Sequence, residues 1–281
     1  MRLAILAAAT VASASAGTAA ETTRTTVVFC APGYPGTSAE AQTAMDAFAV
    51  ALTTASGLPA GSLGATYQET EQGGLARLEK PDAGVAMMPL ALFLAQERPL
   101  QLTPRMQAVP KGRGPLERWT LVARKGRVQR PADLEGFTLY SIAGFAPTFV
   151  RGPVLGAWGK LPASVSIVQS GAVLSSLRKA VAGQNAVVLL DGEQSAALAT
   201  LPFASELETV ATSPELPTAI VATVGNRVPA PRWKALALGF ESMGGKPEGA
   251  AALEGIRMLR FAPLDDTALA SARKAYAEAG K

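Results

Sequence analysis

The side chains able to do chemistry are few. The 281 residues contain no histidine and one cysteine, Cys30. That removes Ser-His-Asp triads, Cys-His pairs and every histidine-ligated zinc or iron centre. No phosphate-cradling GxxxxGK loop and no GxSxG nucleophile turn occurs. Catalysis would rest on carboxylates, lysine or tyrosine, and no clustered carboxylate pair stands out. The expectation is a binding protein rather than an enzyme, with no cofactor and no metal.

A few residues could make a binding site. Tyr34 lies in Ala31-Pro32-Gly33-Tyr34-Pro35-Gly36, directly after the apolar run Thr26-Val27-Val28-Phe29-Cys30. An aromatic at the end of a strand can stack on or hydrogen-bond a ligand, or simply anchor its loop. Asp191 closes the apolar run 186–190, where it can accept hydrogen bonds from a ligand or cap the helix that starts at Gly192. Arg124 and Arg151 are the best cationic candidates for a ligand anion, against solvent exposure or bonding to backbone. Met87, Met88 and Cys30 could suggest a soft-metal site. Strand alternation sends Met87 and Met88 to opposite faces, so at most one reaches a cleft, and packing is the default for all three.

The elements that must position these groups alternate. Residues 25–30, 63–68, 82–88 and 107–109 read as strands of a first group before about residue 115, and 137–141, 164–169 and 186–190 as strands of a second after about residue 125, with a strand at 119–124 leading from one to the other. Two more strands are expected at 208–212 and 218–223, and three helices near 230–243, 247–258 and 265–279. Helices fill the gaps. The clearest has Thr37 and Glu40 as a capping box, Ala41, Ala44, Met45, Phe48 and Leu52 on one face, and Gly57 as its stop. A helix over 173–182 would turn Leu174, Leu177 and Val181 inward. One near 148–158 is interrupted by Gly152 and Pro153. Such alternation argues for an α/β protein of two lobes, each a mostly parallel sheet covered by helices. The tail helices have no sheet of their own and would pack back on the first lobe. The chain then crosses between lobes twice, with a cleft at the carboxyl ends of the strands. The boundaries are 21–124 with 214–281 for the first lobe, and 125–213 for the second.

Charge and the N-terminus restrict partners and location. There are 26 Lys+Arg against 22 Asp+Glu, a net charge of +4, and charged residues make up 17% of the chain. The densest basic patch, Arg124-Lys125-Gly126-Arg127, is too small to indicate nucleic acid. Arg2, an apolar run to about Ala14, and the small-residue sites Ala14-Ser15-Ala16 and Thr18-Ala19-Ala20 form a secretory signal over residues 1–20, cut after Ala16 or Ala20. The run is shorter than the roughly 20 residues a membrane span needs. A periplasmic protein is expected.

Four stretches in this order resemble the periplasmic substrate-binding proteins of phosphate, phosphite and phosphonate ABC transporters, which have the type II periplasmic-binding fold. They are 82–95, with Met88-Pro89-Leu90 at its centre, then 130–140, 173–191 ending at Asp191, and 210–218. The tail from Arg232 to Phe261 is similar too. The resemblance implies a monomer that closes on a small-molecule ligand and hands it to an inner-membrane ABC permease. It also implies a site: Tyr34, Met88, Pro89, Asp191 and the second-lobe loop Ser141-Ile142-Ala143-Gly144-Phe145-Ala146-Pro147-Thr148. In the family that loop is rich in hydroxyls and holds phosphonate oxygens at a helix N-terminus. Here only Ser141 and Thr148 keep hydroxyls, Phe145, Ala146 and Pro147 are apolar, and Pro89 stands where the family often has Gly. That pattern implies a ligand less charged than phosphonate, or an anion held mainly by backbone N–H groups. A ligand-sensing or accessory module serving a membrane sensor or a redox partner is the alternative role.

Overall fold

The computed structural model describes residues 24–281, so the expected signal segment lies outside the described residues. The first run of β-branched and apolar residues forms β1 (Thr25–Cys30), buried along its whole length. α1 (Ser38–Ala55), β2 (Leu63–Gln68), α2 (Glu71–Leu78), β3 (Ala83–Pro89), α3 (Leu90–Gln96) and β4 (Leu102–Pro110) follow. Strand alternation divides the side chains between two apolar layers. Val28, Cys30, Ala86 and Met88 enter one, and Val27, Phe29, Val85 and Met87 the other. Cys30 is a buried core thiol, and burial pushes it up to about 12.

The chain then passes through β5 (Leu116–Glu117) into β6 (Thr120–Arg124), β7 (Thr138–Ser141), a short helix α4 (Pro147–Phe149), β8 (Ser166–Gln169), α5 (Val173–Val181), β9 (Ala186–Leu190), α6 (Gly192–Ala197) and β10 (Leu207–Thr212). It returns through β11 (Leu216–Pro217) to β12 (Ala219–Val224), α7 (Ala230–Ser242), α8 (Pro247–Gly255), β13 (Met258–Ala262) and α9 (Asp266–Ala279). Two sheets result, ordered β13-β4-β12-β3-β1-β2 and β10-β6-β9-β7-β8. β2, β1 and β3 are parallel, as are β8, β7 and β9, while the strands that enter or leave a crossing pair antiparallel. Most strands of each sheet point one way, but each sheet is mixed at its returning side. The crossings themselves form a two-stranded ribbon, β5 with β11. Trp119 N–H donates to Ser213 Oγ at 2.9 Å and Ser213 N–H to the Trp119 carbonyl at 2.8 Å, which ties the two crossings together.

Four expectations change. Thr120–Arg124 pairs with β9 and β10, so the outward crossing precedes residue 120 and not residue 125. Leu121, Val122 and Ala123 are buried on both faces, as a central strand requires. The helix expected to run to 258 ends at Gly255, and residues 258–262, for which no strand was expected, form an edge strand that pairs with β4. Leu174 is exposed, whereas Leu177 is buried as expected, with Ser176 and Ala180 beside it on α5. α7 and α8 pack on α1 as expected, but α9 reaches the second lobe, against the segment Val150–Val154. That segment is wound as a π-turn around Pro153, whose missing N–H disfavours ordinary helix.

The lobes share apolar core. One continuous cluster joins Met88, Leu92 and Phe93 of the first to Trp119, Leu121, Phe149 and Val150 of the second. Trp119 and Phe149 meet edge to face with centroids 5.7 Å apart.

Candidate functional site

β1 ends in a loop that points across the junction of the lobes. Gly33 sits in the left-handed region at φ +85°, which glycine tolerates without strain. A Cβ there would stand 3.1 Å from the Ile142 carbonyl and 3.2 Å from Gln169 Nε2. A Cβ on Gly171 would stand 3.2 Å from the Gly33 carbonyl. The loop thus lies backbone to backbone against the carboxyl ends of β7 and β8, and carries Tyr34 into the junction. Tyr34 Oη donates to Asp191 Oδ2 at 3.3 Å.

Asp191 does two things with its two oxygens. Oδ1 accepts the Gln194 N–H at 2.8 Å while Gln194 Oε1 accepts the Asp191 N–H, which caps α6. Oδ2 faces Tyr34 and lies 3.5 Å from Arg113 Nη1. The same Nη1 donates to Glu117 Oε2 at 3.2 Å. Glu117 Oε2 also accepts the Gly192 N–H at 3.2 Å. Glu193 flanks the group with Oε2 3.9 Å from Arg113 Nη2, and its other oxygen is 3.8 Å from Arg257. Side-chain exposure is 14% for Arg113, 5% for Glu117 and 2% for Asp191, but 60% for Glu193. Two buried carboxylates therefore share one guanidinium, with a third carboxylate at the rim.

The electrostatics follow from that surplus. Burial raises Glu117 to about 7; the Asp191 charge adds to the rise and Arg113 opposes it. Burial also raises Asp191, against the Gln194 N–H and Arg113. Tyr34 is raised well above its ordinary value by burial and then by Asp191 and Glu117. Burial disfavours the Arg113 charge, but Glu117, Tyr34 and Asp191 outweigh it and raise its pKa. Arg113 Nε is buried with no hydrogen-bond partner.

Tyr34 and Asp191, singled out in the sequence, thus meet across the junction. The other predicted positions lie elsewhere. Met88 is 1% exposed and belongs to the core. Half-buried Pro89 ends β3. Ser141 is buried, and its hydroxyl accepts the Ala143 N–H at 3.2 Å to cap its own turn. Gly144 presses on the backbone of Val168 and Gln169, where a Cβ would collide. Phe145 packs against the core, and Thr148 lies beside the Tyr276 hydroxyl on α9. Arg151 donates to the carbonyls of Leu161, Pro162 and Val165, and Arg124 is exposed. Arg113 and Glu117 were missed because 110–115 reads as a flexible polar loop. The available signal was an arginine and a glutamate four residues apart around Pro115, leading into an apolar strand. Among the described residues no group of three or more His, Cys, Asp or Glu is placed to hold a metal ion. No described helix is long and apolar enough to cross a membrane.

No protein-family model and no curated protein matches the chain. Solved structures do. XAC2383 from Xanthomonas citri, solved bound to chloride ion and bound to ATP, aligns with a TM-score of 0.69 at 14% identity, over 91% of this chain and 98% of that one. PhnD1 from Prochlorococcus marinus in complex with methylphosphonate aligns at 0.62 and 12% identity, over 91% and 98%. A binding protein component of an ABC phosphonate transporter from Pseudomonas aeruginosa aligns at 0.60 and 16% identity, over 92% and 87%. The fold is the two-lobe α/β architecture of the type II periplasmic binding proteins.

Proposed function

We propose that this chain is a periplasmic solute-binding protein whose lobes close on a small ligand and deliver it to an inner-membrane ABC permease. One observation carries this reading: Tyr34 of the first lobe and Asp191 of the second meet at 3.3 Å over the buried Arg113. A polar cluster shut inside a lobe junction is expensive unless its groups are paired, so it marks a place where polar atoms are wanted. A ligand inserted there would exchange the Tyr34–Asp191 bond for bonds to itself, and its contacts to both lobes would favour the closed state. The β5–β11 ribbon is the hinge in this reading. Tyr34, Asp191 and Arg113 are the ligand-binding residues, and residues 1–20 are the cleaved signal. The likeness to phosphonate receptors brings phosphorus oxyanions into the panel to be tested, while the surplus of carboxylates around Arg113 favours amines and polyols.

A thermal-shift screen of the mature protein tests the reading. The panel holds phosphate, phosphite, methylphosphonate, small carboxylates, amines, amino acids and polyols. A solute at 100 times its dissociation constant adds about 2.7 kcal/mol of stability. A shift with one chemical class, lost in Tyr34→Phe combined with Asp191→Asn, is the expected result. No shift with any member, under conditions where a phosphonate receptor responds, would overturn it.

A further inference from the structure

Three donors of the junction are already taken by the chain itself. Arg113 Nη1 and the Gly192 N–H both point at Glu117 Oε2, each at 3.2 Å. The Tyr34 hydroxyl points at Asp191. A guanidinium with a backbone N–H is the arrangement that would hold a ligand oxyanion. Here a side-chain carboxylate fills it. An oxyanion arriving at Arg113 would displace Glu117 or sit beside it, with Asp191 behind and Glu193 at the rim. Like charges a few ångströms apart in a dry site repel strongly.

We propose that Glu117 sets the specificity of the cleft. Its carboxylate occupies the anion position between Arg113 and the Gly192 N–H, so the cleft turns phosphorus oxyanions away and takes small ligands that bring ammonium or hydroxyl hydrogens. This rests on the solute-binding reading above and adds the chemical class to it. Rejection by an unpaired like charge is a standard source of discrimination. Among the described residues the charges that act on Glu117 are Arg113 on its own crossing and Asp191 from the second lobe; the neutral Tyr34 hydroxyl comes from the first-lobe loop, and Glu193 flanks Arg113 at the rim. Neutralising Glu117 therefore leaves Arg113 opposed by one buried carboxylate instead of two.

The test is Glu117→Gln, which keeps the shape and removes the charge, with methylphosphonate titrated by calorimetry at pH 8. The variant should bind it roughly tenfold or more tighter than the wild type, as one relieved charge contact of about 1.4 kcal/mol would give. A second arm needs no variant: sulfate, whose charge does not change over the range, should bind the wild type more tightly at pH 6 than at pH 8. Equal methylphosphonate affinity in the two proteins, or equal sulfate affinity at the two pH values, would overturn the proposal. A wild-type hit on the solute panel with no gain in the variant would sink the Glu117 assignment and leave the solute-binding reading standing. No binding of any solute by either protein would overturn both.

Discussion

Glu117 couples the stability of the molecule to pH. Its folded value, about 7, lies above the ordinary 4.5. The fold therefore favours the neutral acid. Below pH 4.5 the group is neutral in both folded and unfolded chains, and its stabilising contribution is complete. As pH rises toward 7 the unfolded chain ionises first, so stability is lost, at no more than about 1.4 kcal/mol per pH unit. Above about 7 the loss stops. Urea unfolding between pH 4.5 and 8 should show this decline in the wild type and a shallower one in Glu117→Gln. Asp191, raised in the same direction, contributes to the slope that remains. Equal slopes in the two proteins would refute the assignment. Arg113 is the other half of the balance. Removing it as Arg113→Met leaves buried carboxylates unpaired, which costs about 3–5 kcal/mol. The loss should be greatest at pH 8 and smaller at pH 5, where Glu117 is neutral. A loss independent of pH would mean that Arg113 acts through packing alone.

Single elements were legible where their signals are local. The capping box of α1 forms as its sequence implies: Glu40 N–H donates to Thr37 Oγ1 at 3.2 Å and Thr37 N–H to Glu40 Oε2 at 2.9 Å. Thr37→Ala should cost about 1 kcal/mol in chemical denaturation and Thr37→Ser almost nothing. An equal loss in both would point to the methyl group instead of the cap. Gly57 at φ +63° and Gly183 at φ +81° end their helices for the same local reason. Elements defined by distant partners were harder to read. β13 runs Met258-Leu259-Arg260-Phe261-Ala262, with Leu259 and Arg260 exposed and a register break at its pairing with β4. It offers no period of two, and only β4 makes it a strand. The cleft divides the same way. Tyr34 and Asp191 follow apolar strands, so position alone marked them. Arg113 and Glu117 matter because the crossing ribbon folds them under Asp191, which no local pattern records. Ser141 and Thr148 drew notice for their hydroxyls, yet one caps a turn and the other faces α9.

At the scale of the whole molecule, α9 belongs to both lobes, and this bears on how they move. Arg273 on α9 donates Nε to Glu97 Oε2 at 3.0 Å, just beyond the end of α3, and its guanidinium lies 5.8 Å from the Phe93 ring centroid. Further along the helix, Ala275 and Ala279 pack on Gly152 of the second lobe so closely that a Cβ there would collide with the Ala275 carbonyl. The helix thus joins an ion pair on the first lobe to a close contact of small residues on the second, while the cleft cluster spans the lobes on polar contacts alone. A lobe motion about the β5–β11 ribbon must keep or break the α9 contact. Because that contact buries small residues at close range, a single methyl reports on it. Gly152→Ala should push α9 away from the second lobe at about 1–3 kcal/mol, the usual cost of overpacking. Amide hydrogen exchange over 266–279 should quicken more than exchange over β1 and β3, because local opening precedes global unfolding. If the bridge restrains the lobes, small-angle scattering of the variant should give a larger radius of gyration, which a ligand of the cleft would reduce again. Unchanged exchange in α9 with a uniform loss of stability would instead make Gly152 a packing position within the second lobe, and leave the ribbon as the sole connection that governs closure.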